Sequence, residues 1–238
     1  LASDWLEKNG SEPFFLFLHY FDPHEPYEPP AEFSAQFSDD RYVGEIAYTD
    51  SCIGQVVDRL RSLGLLESTL IVVASDHGES LGEHQEETHA YFAYQSTIHV
   101  PLIMVAPTGT GKVRVEQPVS TVDIVPTILS LLGVPVPPQV QGADLSAYLS
   151  GGTPASEPRY LYSESWDPAK FGCCPLRGLL HDNWHYIWSI KPELYDIQKD
   201  PGETENVIGQ HSDVSQQLQD QLQILLTDFA HDRQRQSD

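Results

Sequence analysis

The sequence predicts an α/β protein: a parallel sheet covered by helices, followed by a small antiparallel sheet with a helix of its own. Three observations carry this. Dense apolar runs at 14–21, 70–76 and 99–107 have the length and composition of strands buried on both faces. Between the first two, Ile46, Ile53, Val57 and Leu60 recur at helical spacing, as a crossover helix would. Beyond Gly151 the texture changes to short alternating segments punctuated by turn residues. The expected division is a core over 1–150 and a subdomain over 151–238.

The elements follow in order. Leu1, Trp5 and Leu6 share one helix face, and Asn9 with Gly10 is a usual helix stop. No initiator Met or signal peptide precedes them, so the chain reads as a processed or truncated piece of a longer protein. The run 14–21 ends in a proline-rich loop in which His24 sits between Pro23 and Pro26, placed to act on a ligand or simply at the surface. His19, inside the apolar run, reads as a hydrogen-bonded core residue. The helix over 42–63 closes at Gly64, and Cys52 within it reads as a small buried residue.

The strand over 70–76 stops at Asp76 and His77, with Gly78 allowing a sharp exit. In open α/β sheets ligands bind beyond the carboxyl ends of strands. A carboxylate and an imidazole side by side there can face one cation; the alternative is a solvated polar turn. The polar segment 79–92 is too irregular for a helix face, and its histidines and acids either close over a site or form a solvated loop. Residues 108–113 have the look of a phosphate loop, but Ala106 and Val113 break the pattern and exclude it. Ser120 and Asp123 fit a capping box opening a helix with Val122, Val125, Leu129 and Leu132 on one side; Pro126 is tolerated in its first turn, and Gly133 ends it.

A proline-rich connector over 135–141 leads to a boundary at 151–154. Short strands are then expected at 159–165, 176–181, 184–190 and 193–197, with Asp182 and Asn183 forming a two-residue turn. Val214, Leu218, Leu222, Leu225, Leu226 and Phe229 mark a terminal helix that can cover the resulting meander.

Composition narrows the partners. A formal charge of −22, from 35 acids against 13 bases, disfavours nucleic acid, whose phosphates need a basic surface. It also means that an anion site needs a local cation. No stretch approaches the ~18 apolar residues of a membrane span. Three cysteines, two of them adjacent, make no disulfide framework.

With these pieces in place the chain resembles the sulfatase family of the alkaline phosphatase superfamily, in the bacterial branch near choline sulfatases and phosphonate monoester hydrolases. The resemblance rests on the stretches 14–27, 76–84, 99–103, 120–127, 193–196 and 200–203, which come in family order. It implies the later half of an alkaline-phosphatase-like core. It further implies that Asp76 and His77 are ligands of one divalent cation, Ca²⁺ or Mn²⁺, with imidazole better tolerated by Mn²⁺. His24 would hydrogen-bond the sulfate group. His89 would stand near the leaving-group oxygen, so both histidines are catalytic and substrate-binding candidates; His84 is a weaker one.

The chemistry needs those types, because a transferring sulfuryl group carries negative charge and a departing alkoxide needs a proton. The substrate class implied is a small-molecule or glycan sulfate ester. Export of many relatives leans toward the periplasm or exterior. The family's nucleophile is a formylglycine made from Cys in Cys-x-Pro-x-Arg near two ligand aspartates, in an earlier half that this sequence lacks. Cys173, Pro175 and Arg177 satisfy that spacing, but after the metal pair and without the family's helix, so Cys173 is not expected to be the nucleophile. The alternatives are a phosphodiester or phosphonate monoester hydrolase, or a catalytically inactive sulfatase-like fragment. The chain by itself is expected to bind the ion weakly and turn over nothing.

Overall fold

The computed structural model describes residues 1–107, 111–152 and 159–237, with side chains through residue 229. Two compact units are present: Leu1–Ile71 with Met104–Thr108, and Val72–Ile103 with Gly109–Asp238. The first expected boundary residues, Gly151 and Gly152, are described, whereas Thr153 and Pro154 lie outside the described residues, as do Thr108, Gly109 and Thr110 of the rejected phosphate loop.

The first unit is built on helices. Helix α1 (Ala2–Asn9) buries Leu6 and packs on α3 (Arg41–Ser62), and Glu7 pairs with Arg59 at 2.7 Å. A short helix, α2 (Ala31–Gln36), packs on α3 as well. Asp40 starts α3 by accepting the Val43 amide at 3.0 Å, which satisfies one of the donors left open at a helix start. The run 14–21 departs from expectation. It forms no strand, and its burial alternates, with Phe15 83%, Phe17 77% and Phe21 62% exposed. The apolar pattern is that of a strand, but ladder hydrogen bonds need a neighbour, and among the described residues none pairs with it. His19 falls on the exposed side of this alternation rather than in a core. Cys52 is half-buried on α3.

Strands β1 (Ile71–Ala74) and β2 (Leu102–Val105) make a two-stranded sheet. Burial on both faces is not observed: in β2, Ile103 and Val105 are 56% and 51% exposed, alternating with half-buried Leu102 and Met104. Of the three strands read from the sequence, two therefore form. Between them run a long loop and a single helical turn, α4 (Gln95–Ile98).

Further on, the second unit follows expectation closely. Ser120 and Asp123 form the capping box, followed by α5 (Ile124–Leu131), which carries buried Pro126 and stops at Gly133 with φ +67°. Asp123 is fully buried; its carboxylate accepts the Ser120 and Ala143 amides at 2.8 and 2.7 Å and pairs with both terminal nitrogens of Arg159. The turn α6 (Ser146–Leu149) packs against α5. Strands β3 (Leu161–Ser165), β4 (Leu176–His181), β5 (Trp184–Trp188) and β6 (Glu193–Asp196) form an antiparallel meander in chain order. The β4–β5 hairpin closes on Asp182 and Asn183, with Asp182 at φ +52°. Helix α7 (Ser212–Ser237) packs on this sheet, and Leu179, Tyr186, Leu194, Leu218 and Leu222 form its buried core. Among the described residues, no helix is long and apolar enough to cross a membrane.

Candidate active site

The site begins where β1 ends. His77 donates its amide to Asp76 Oδ1 at 3.1 Å, and that same oxygen lies 3.9 Å from His77 Nε2. His77 Nδ1 bonds the Gly78 carbonyl at 2.8 Å, which puts the neutral ring's proton on Nδ1 and leaves Nε2 as the basic nitrogen. One carboxylate oxygen and one imidazole nitrogen thus lie on the same side, a separation that a single cation can bridge. Gly78 is required for a reason the sequence did not give. Its backbone is not in the left-handed region; a Cβ there would stand 2.2 Å from the Ser96 carbonyl, while its amide bonds Thr97 at 2.7 Å.

His89 lies beside this pair. Its ring stacks on that of His77, centroids 4.1 Å apart, and its Nδ1 bonds Glu79 Oε1 at 2.8 Å. Glu79 is 3% exposed, and its second oxygen is buried with no hydrogen-bond partner among the described residues. An orphaned buried carboxylate oxygen is costly unless positive charge is close. Asp76 Oδ1 and His77 Nε2 are donor types that a divalent cation accepts. Glu79 was not singled out from the sequence, where it is one acid among many in a polar segment; only its burial distinguishes it.

The loop that carries these groups is anchored by hydrogen bonds to the meander and its following turn. Glu203, 1% exposed, accepts the Gln95 amide at 2.6 Å and bonds His185 Nδ1. Tyr94 donates to Glu193 at 2.8 Å, as does Tyr195 at 2.6 Å. Burial and that carboxylate push both phenols well above the ordinary tyrosine range. His84 belongs to this anchoring rather than to the ion pair: its ring stacks on Tyr94 at 3.5 Å, and Nε2 meets the Gly202 carbonyl at 3.1 Å.

His24 stands in the first unit. Its loop is ordered by Glu45, a 2%-exposed carboxylate on α3 that accepts the His24 amide at 3.1 Å and the Glu28 amide at 2.6 Å. The ring faces Phe21 at 4.4 Å, and Nδ1 bonds the Glu25 carbonyl at 2.6 Å. Glu45 too went unnoticed in the sequence, because an acid amid a helix stripe looks like its solvated side. Cys173 is exposed, and the segment after it enters β4 at Leu176 rather than a helix.

Comparison with known proteins decides the family. The sulfatase family profile matches residues 1–134, and that of the N-sulphoglucosamine sulphohydrolase C-terminal region matches 82–230. The chain belongs to the sulfatase family. Human arylsulfatase K is 31% identical over 195 residues, covering 78% of this chain and 36% of that protein. The phosphonate monoester hydrolase of Agrobacterium radiobacter is 28% identical with a TM-score of 0.68, covering 79% of this chain and 41% of that one. BT4656, solved with its substrate D-glucosamine-2-N,6-O-disulfate, is 26% identical with a TM-score of 0.68, covering 87% and 44%. The sulfatase chain thus has an α/β fold shared with these structures, and it spans roughly a third of the curated relatives' length, 35% and 36% for the first two. Sulfatases generally use a metal ion and a formylglycine.

Proposed function

We propose that this chain supplies the later part of a sulfatase active site that hydrolyses a sulfate ester, within a longer protein. The observation that carries this is the stacked His77–His89 pair, backed by buried Glu79 and flanked by Asp76, in a chain of this family. In this reading residues 1–150 carry the core and 151–238 a supporting subdomain. The remaining part would bring two more ligands and the formylglycine.

Asp76 and His77 would hold the ion, Ca²⁺ or Mn²⁺, with the imidazole better tolerated by Mn²⁺. Held there, the ion would offset negative charge on the peripheral oxygens of the ester, and a formylglycine elsewhere in the protein would be the nucleophile. His24 would donate to a sulfate oxygen, its loop fixed by Glu45. His89, with Nδ1 held by Glu79, would present Nε2 to the ester oxygen and deliver its proton as the sulfur–oxygen bond breaks. The alcohol leaves neutral, and the imidazole regains a proton from water.

Human arylsulfatase K and the BT4656 complex support a sulfated glycan or aryl ester as substrate. A second reading, phosphonate monoester hydrolysis, is favoured by the Agrobacterium radiobacter enzyme at 28% identity. Steady-state kinetics of the full-length protein on 4-nitrophenyl sulfate and on a 4-nitrophenyl phosphonate ester separate the two. A higher kcat/KM on the sulfate supports the proposal, and a higher value on the phosphonate replaces it with the second reading. No turnover of either identifies an inactive relative.

A further inference from the structure

Immediately after His89 the backbone takes a conformation that L residues rarely adopt: Ala90 has φ +94°. Such strain persists only where surrounding contacts enforce it. Here they do. The Ala90 carbonyl accepts a hydrogen bond from Ser165 Oγ at the end of β3. The next two amides, of Tyr91 and Phe92, both donate to Glu86 Oε1, at 2.7 and 3.3 Å, and Glu86 is 5% exposed. The turn sends His89 toward buried Glu79 and Tyr91 toward the helical turn that follows β3 (Asp167–Phe171). The ring of Tyr91 meets that of Phe171, centroids 5.4 Å apart and planes inclined by 31°. Both rings are open to solvent, Tyr91 at 42% and Phe171 at 64%.

We infer that Tyr91 and Phe171 form the wall of the leaving-group subsite and that it receives an uncharged ring with an apolar face, an aryl group or a pyranose. This rests on the proposed role of His89 at the ester oxygen. An isolated exposed aromatic is ordinary. Two in contact, one of them two residues from His89 and fixed there by a strained residue, form a cluster on the turn that carries His89 rather than scattered exposure. Aromatic rings gain from face or edge contact with another ring and from the apolar area removed from water. Charge argues against a polyanionic leaving group, because the chain carries −22 and the nearby Lys170 is already paired with Asp167 at 2.6 Å.

The test uses the full-length protein and three esters: 4-nitrophenyl sulfate, N-acetylglucosamine 6-O-sulfate and butyl sulfate. For Tyr91→Ala and Phe171→Ala, the ratio of KM on a ring ester to KM on butyl sulfate should rise about 5- to 10-fold, the worth of one aromatic contact. Phe171→Leu keeps apolar bulk without the ring and should fall between. Whichever ring ester shows the larger rise identifies the source of the ring. A ratio that stays at the wild-type value in all three variants overturns the inference, and comparable thermal melting temperatures show that the variants are folded. If the wild type cleaves phosphonates and not sulfates, the same contrast is read on phenyl and butyl phosphonate esters, so the sulfate reading fails without deciding this one. If the wild type turns over none of these esters, both fall.

Discussion

At the scale of single residues, the site depends on carboxylates doing two different things. The Asp76 side chain is 82% exposed, where a bound ion would meet solvent, and the Glu79 side chain is 3% exposed and bonds His89. Asp76→Ala in the full-length protein should weaken Mn²⁺ binding by about 10-fold or more, read by isothermal titration calorimetry. His89→Ala should lower kcat by about 10²- to 10⁴-fold, the usual worth of a positioned proton donor, with a smaller change in KM. An equal loss on esters with very acidic and weakly acidic leaving alcohols would show that His89 does not deliver the proton, because a good leaving group needs little help. Asp76 and His77 were legible as a pair because an acid and an imidazole at a strand end are a short-range pattern, whereas His89 was reached only through the family resemblance. Glu79 and Glu45 were not, since nothing in their neighbours announces that they are buried.

At the scale of elements, the loop after β1 has few buried apolar contacts of its own and is held by hydrogen bonds to the meander and the turn after it. Asp123 shows how much one such anchor matters. It serves two amides and Arg159 from full burial. Asp123→Ala should leave the Ser120 and Ala143 amides without this partner, while the part-exposed Arg159 turns to water, and cost about 1–3 kcal/mol in a chemical denaturation experiment. The C-terminal elements were read well from sequence: the four strands, their two-residue turn and the covering helix follow from period and punctuation. The run 14–21 was read as a strand and is not one here, because periodicity reports the faces of a segment and not whether a partner is present.

At the scale of the whole molecule, two consequences follow from burial. Tyr94 and Tyr195 have phenols pushed above their ordinary value near 10 by burial and by Glu193. The folded chain therefore keeps protons that the unfolded chain releases once pH passes about 10, so their stabilisation is complete below that pH and fades as pH rises toward the folded values. Melting temperature should fall between pH 10 and 11.5, and Tyr195→Phe should flatten the decline. The second consequence is association. Phe15, Phe17 and Phe21 present an apolar face to solvent in this chain. The 238-residue chain alone should bind a hydrophobic dye and self-associate, and Phe15→Ser with Phe17→Ser should reduce both, as measured by fluorescence and light scattering.

What the sequence determined by itself was the order of elements, the antiparallel meander and the local acid–imidazole pair, all of which depend on residues within a few positions of one another. Tertiary structure alone decided which carboxylates are buried, that His77 and His89 stack, that His84 serves the turn at Gly202, and that Ala90 is strained. These depend on what distant segments do to solvent access and backbone freedom, and a linear pattern holds no measure of either.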